Sequence, residues 1–130
     1  MAKILFIQED EWHKLGFMYL SGTLKKHGHD VDLVIGSKLG DVESVIRSFQ
    51  PDVVGFSIMT GDHHWAVNMA SKIKAEFDII TLFGGPHATF FPDFIYEECV
   101  DAIIRGDGEL ACLAFMDSIE GKRDLSQIKN

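Results

Sequence analysis

Asp52-Val53-Val54-Gly55-Phe56-Ser57-Ile58 is the stretch that decides the fold. It is nearly all apolar and shows no alternation between wet and dry positions. A run of this length reads as a strand, and the missing alternation marks a central parallel strand covered on both faces. Pro51, just before it, stops whatever runs into it. Upstream, Asp41 starts a helix that carries Val42, Val45, Ile46 and Phe49 on one face. Downstream, Asp62 to Phe77 is helical, with Trp65, Met69, Ile73 and Phe77 along one stripe. Trp65 and the Met69 stripe read as core.

The same alternation extends to both ends. Lys3 to Gln8 is an apolar first strand. Gly16 to His27 has Phe17, Leu20 and Leu24 at helical spacing, and Gly28 sits where a C-terminal cap belongs. Val31 to Ile35 is a short second strand. Ile79 to Phe83 is a fourth, followed by a Gly84-Gly85-Pro86 turn and a shorter helix over Pro92 to Cys99. Asp101 to Arg105 is a fifth strand, Gly106 to Gly108 turn again, and Glu109 to Ile119 form a last helix. Five strands alternating with helices give a doubly wound α/β sheet with right-handed crossovers.

The chain has 130 residues, enough for one domain, and 46% of them are apolar, enough for a real core. Its net charge of −8 argues against duplex nucleic acid or an anionic membrane as partner. No apolar run approaches the length of a membrane span. Met1 to Ile7 is too short for a signal-peptide core. Cys99 and Cys112 form no CxxC pair and support neither a disulfide framework nor a zinc site. A reducing cytoplasm is the expected compartment. Residues 1–120 read as the domain, and the polar 121–130 as the start of a linker to a missing C-terminal domain, or as an ordinary frayed end.

In such sheets ligands bind beyond the carboxyl ends of the strands. The loops to inspect are therefore Glu9 to Leu15, Ser57 to Gly61, Gly84 to His87 and Gly106 to Glu109. A flavin phosphate would be repelled by Glu9, Asp10 and Glu11 in the first loop. A phosphoacceptor domain needs an aspartate after strand three and a lysine after strand five, where this chain has Ser57 and Arg105. No G-x-G-x-x-G fingerprint is present.

Glu11-Trp12-His13-Lys14-Leu15-Gly16 is one acid away from the D-x-H-x-x-G loop of cobalamin-binding domains, which it resembles. Ser57-Ile58-Met59 takes the place of that family's S-x-L motif, with methionine for leucine, and Gly84-Gly85 takes the place of its glycine pair. Ser57 follows His13 by 44 residues and Gly84 follows Ser57 by 27, close to the family's spacing. A second likeness is more particular. LGFMYLSGTLKKHGHDVDL, PDVVGFSIMT, FGGPHATFFPD and AIIRGDGE look like the N-terminal cobalamin-binding domain of class B radical S-adenosylmethionine enzymes, over roughly Lys3 to Ile119.

The resemblance implies a flavodoxin-like (Rossmann-like) sheet of order 2-1-3-4-5 and a bound cobalamin whose dimethylbenzimidazole tail is buried in the domain. It implies cofactor contacts from Glu11, His13, Gly16, Ser57, Met59, Gly84, Gly85, Pro86 and Gly106, with His13 as the candidate cobalt ligand. Glu11 would fix the tautomer of His13 and raise its basicity. Many of the radical enzymes bind cobalamin with no histidine on cobalt, so the two likenesses differ over His13. Gly84 and Gly85 let backbone approach a ligand closely, or simply make a turn. Ser57 bonds a ring nitrogen or tail oxygen, or caps the next helix. His63 and His64 read as partly exposed helix-start residues, or as a lining for the upper corrin face; His87 reads as a surface residue.

The family's iron–sulfur cluster and S-adenosylmethionine would belong to the missing domain, since no CxxxCxxC motif is present. The expected function is thus a cobalamin-binding module of a radical enzyme of methyltransferase or cyclase type, with no catalytic residue of its own. Its expected partners are cobalamin and that missing catalytic domain. A free corrinoid shuttle, or a domain that has lost the cofactor, are the alternatives. Glu for Asp at 11 and Met for Leu at 59 bear on the last.

Overall fold

The computed structural model describes residues 2–8, 15–35, 39–57, 63–84, 98–104 and 109–119. Five parallel strands, β1 (Lys3–Gln8), β2 (Asp30–Ile35), β3 (Val53–Ser57), β4 (Ile80–Gly84) and β5 (Ala102–Ile103), form one sheet in the order β2-β1-β3-β4-β5. Four described helices, α1 (Leu15–Lys26), α2 (Leu39–Phe49), α3 (His63–Glu76) and α4 (Glu109–Ile119), return the chain between them. The expected architecture and strand order are both found. The short helix expected over Pro92 to Cys99 falls almost wholly outside the described residues.

β3 lies between β1 and β4 and is buried on both faces from Val53 to Phe56, as its unbroken apolar run requires. Alternate residues then feed two cores. Leu5, Ile7, Val54, Phe56 and Phe83 point to one side and pack under Val42 and Ile46 of α2 and Ala66, Met69 and Ile73 of α3. Ile4, Phe6, Val53 and Leu82 point to the other, under Leu24 of α1 and Cys112, Phe115 and Met116 of α4. Phe56 stacks on Phe83, with centroids 4.9 Å apart, and meets the edge of Trp65 at 6.1 Å. That contact pins the first turn of α3 to the middle of the sheet.

The helix ends follow local chemistry. Gly28 adopts φ +88°, and the His29 N–H donates to the Leu24 carbonyl at 3.0 Å, closing α1 with the left-handed cap its glycine announces. α2 ends at Phe49 because Gln50 takes φ +53° ahead of Pro51, its N–H still bonded to Ile46 O at 2.8 Å. On the edge strand β2, the Asp32 carboxylate accepts the N–H of Leu33 at 2.8 Å. Leu33 and Ile35, on the same strand, are large apolar side chains left exposed.

Two polar clusters tie the elements together. Thr81, fully buried in β4, receives the Asp101 N–H on its hydroxyl at 3.1 Å and donates that hydroxyl to the Cys99 carbonyl. Asp101 Oδ2 in turn accepts from the Thr81 N–H at 2.9 Å and from Lys74 Nζ at 2.5 Å. Burial alone would raise the Asp101 pKa, but the Lys74 ammonium and the Thr81 donors outweigh it and hold the carboxyl below its ordinary 3.8. The second cluster joins a buried histidine to a half-buried carboxylate: His29 Nε2 lies 2.9 Å from Asp117 Oδ1, linking the α1–β2 turn to α4. Both clusters serve the frame and lie away from the carboxyl ends of β1 and β3.

Candidate functional site

All five strands run the same way, so their carboxyl ends share one edge of the sheet, and α1, α3 and α4 begin there. Gln8 ends β1, Ser57 ends β3 and Gly84 ends β4. Ser57 and Gly84 are paired neighbours in the β3–β4 register. Gln8 and Ser57 each stand two residues beyond the paired Phe6 and Gly55. Counting back by twos from Gln8, Ser57 and Gly84 leads to Phe6, Val53 and Leu82, which all face α1 and α4. The three residues therefore share an edge and a face.

Their surroundings suit a slot. Gln8 is buried, whereas Ser57 and Gly84 are half-buried. A Cβ placed on Gly84 would meet, among the described residues, only Ile104 O at 3.7 Å and Ile104 Cβ at 4.0 Å, both ordinary contacts. Packing within the described protein thus does not require glycine there, and Gly84 has no left-handed φ. A side chain left out where no described neighbour forbids it is what close approach by a ligand would need. Ser57 beside it carries one hydroxyl, a group that can both donate and accept hydrogen bonds. This donor set suits a long, mostly apolar group with a few polar atoms, such as the nucleotide tail of a corrinoid. Among the described residues no group of three His, Cys, Asp or Glu could hold a metal ion.

Ser57 and Gly84 are thus brought together. Gly16 lies in the first turn of α1, at the same edge. Glu11, His13, Met59, Gly85, Pro86 and Gly106 lie outside the described residues. Gln8 was missed by sequence reasoning, although a polar residue closing the apolar run KILFI is a visible signal. On the other face, α3 opens with His63, half-buried, and His64, exposed; their ring centroids are 4.0 Å apart with planes tilted by 38°. Neither cysteine is near this chemistry in reactivity: both are buried, and burial pushes the Cys112 thiol up to about 12. A cleft of about 490 Å³ between Ile46, Arg47, Gln50, Pro51, Phe77, Asp78 and Ile79 lies at the opposite, amino edge. No helix among the described residues is long and apolar enough to cross a membrane.

Comparison with known proteins places this geometry in context. The model of the B12 binding domain family matches residues 8–116. An uncharacterized methyltransferase of Pyrococcus horikoshii (PH0819) is 32% identical over 121 residues, which cover 88% of this chain and 26% of that protein. An anaerobic magnesium-protoporphyrin IX monomethyl ester cyclase of Rubrivivax gelatinosus is 29% identical over 122 residues, covering 86% of this chain and 22% of the cyclase. The chain thus spans about a quarter of the length of these relatives. Among solved structures, the cobalamin-dependent S-adenosylmethionine radical enzyme OxsB with aqua-cobalamin bound superposes with a TM-score of 0.86. That match covers 99% of this chain and 20% of OxsB, at 17% identity, so the likeness is one of fold.

Proposed function

This chain belongs to the B12 binding domain family, and we propose that it holds a corrinoid, with the dimethylbenzimidazole tail buried in the domain, for a radical S-adenosylmethionine enzyme of methyltransferase or cyclase type. The observation that carries the tail slot is the pairing of Ser57 with Gly84 at the carboxyl edge, on the face of α1 and α4. The methyltransferase and cyclase relatives, and the quarter of their length that this chain spans, support a partner catalytic domain. That domain would carry the iron–sulfur cluster and S-adenosylmethionine.

In this reading the Ser57 hydroxyl bonds a ring nitrogen or oxygen of the tail, and the backbone at Gly84 and Gly85 lies against it. Gly16, Met59, Pro86 and Gly106 complete the wall. Glu11 accepts a hydrogen bond from His13 and fixes which ring nitrogen faces cobalt. A bound corrinoid supplies a cobalt centre that can carry a methyl group or change oxidation state. The domain's own part is to bind, orient and shield it.

Reconstitution with hydroxocobalamin tests the reading. After gel filtration the protein fraction should keep the corrin absorption bands; elution of all cobalamin with the small molecules would overturn it. His13 is tested in the same experiment. If it ligates cobalt, His13→Ala shifts the visible spectrum, and acidification of the wild type reproduces that shift as the imidazole takes a proton and leaves the metal. Identical spectra and acid responses for the two proteins would remove His13 from the metal and leave the corrinoid reading standing.

A further inference from the structure

The carboxyl edge has two sides, and the slot occupies only one. Gln8, Ser57 and Gly84 belong to the face covered by α1 and α4, whereas α3 belongs to the opposite face. The first turn of α3 nevertheless starts at that edge, six residues after Ser57. It is fixed in place by Trp65 against Phe56 and by Ala66 and Met69, which are buried in the core. On this anchored turn stand His63 and His64 with their rings in contact, 4.0 Å between centroids. Neither belongs to a core cluster, and His64 is exposed.

We infer that His63 and His64 contact the amide-bearing corrin ring itself, from the face opposite the tail slot. The inference rests on the corrinoid reading above. In that reading a corrinoid whose tail enters on the α1 and α4 face would lay its macrocycle over the carboxyl edge, where α3 also begins. The periphery of that macrocycle is set with primary amides, each able to donate and accept hydrogen bonds. The exposed imidazole of His64, with the His63 ring against it, can offer one donor and one acceptor, which matches an amide in either orientation. Contact between the two rings narrows the rotamers open to each, so less side-chain entropy is lost on binding.

Dividing the ligand divides the site. Cobinamide has the corrin ring and its amides but lacks the nucleotide tail, so binding of cobalamin and of cobinamide reports on tail and ring separately. His63→Ala and His64→Ala should weaken both ligands by a similar factor, about tenfold for the loss of one good hydrogen bond. Ser57→Ala and Gly84→Ala should weaken cobalamin alone. His64→Gln, which keeps a donor and an acceptor, should recover most of the loss. An unchanged melting temperature in the His64 variants excludes a folding defect, because that side chain is exposed. The inference is overturned if the histidine variants bind both ligands like wild type. It is equally overturned if they lose cobalamin only, or if wild type binds cobalamin and not cobinamide. Wild-type protein that binds neither ligand would instead overturn the corrinoid reading.

Discussion

The ring of Phe6 occupies the space that a side chain on Gly55 would need: a Cβ there would stand 2.9 Å from Phe6 Cδ1 and 3.0 Å from Cε1. The two residues are paired across β1 and β3, at the centre of the sheet. The glycine inside the otherwise apolar DVVGFSI run is thus the seat for a neighbouring aromatic ring. Gly55→Ala should destabilise the domain by about 1–3 kcal/mol through overpacking, since Phe6 is buried and has little room to turn. Combining it with Phe6→Leu should cost less than the two single changes added together. Chemical denaturation of the four proteins measures this, and simple additivity would show that the contact carries no strain.

Asp101 makes the fold sensitive to acid. Its folded-state pKa is held below 3.8 by Lys74 and by the Thr81 N–H and hydroxyl, against the opposing effect of burial. A depressed carboxylate contributes stability that is full above the unfolded-state value and is lost as pH falls through the folded-state value. Asp101→Asn should therefore cost about 1–2 kcal/mol at neutral pH, a partly exposed charge-assisted cluster being worth less than a buried one. The gap to wild type should narrow below about pH 3.8. Urea midpoints across that range decide it; a gap that stays constant would show that the carboxylate's charge does not matter.

The thiols should report on global unfolding. Cys99 and Cys112 are both buried, and burial raises the Cys112 pKa to about 12, so the reactive thiolate is scarce in the native state. Labelling at mildly alkaline pH should be slower than in strong denaturant by more than about a hundredfold. Rapid modification of Cys112 in native protein would contradict its packing between α4 and the sheet.

Gly84 separates binding from folding. Its hypothetical Cβ makes only ordinary contacts with Ile104 among the described residues. Gly84→Ala should leave the unfolding free energy within about 0.5 kcal/mol of wild type, while the larger Gly85→Leu should block the tail without unfolding the domain. Cobalamin retention and stability should therefore part company in both variants. If they fall together, the glycine pair is structural and the slot is misassigned.

How much of this was legible depended on whether the signal was local. β3 was legible because an apolar run without alternation has one reading in a sheet covered on both sides; it begins one residue later than the sequence expectation, at Val53, and Ile58 lies outside the described residues. α4 was found at the expected bounds and α1 within a residue, Gly28 marking the latter's end. β5 is shorter than the expected Asp101 to Arg105, since Asp101 spends its N–H and carboxylate on Thr81 and Lys74 just before the strand starts. That cluster went unread, although a threonine inside ITLFG was its trace: a polar side chain in a doubly covered strand needs a partner. The pairing of His29 with Asp117 spans 88 residues and left no local trace at all. At the site, Ser57 and Gly84 were legible by loop position. Which face of the sheet they share depends on register, which the sequence pattern does not specify to a single residue.

The carboxylate that Asp32 folds onto the Leu33 N–H has a consequence for how copies of this protein behave in crowded solution. β2 ends the sheet, and an incoming chain seeking to extend it by a sixth strand would first need that donor. The donor is already taken, and by a group whose negative charge repels an identical edge approaching head-on. Leu33 and Ile35 then present oily side chains at the rim beside a backbone donor that is already engaged, which makes the edge a poorer template for a further strand.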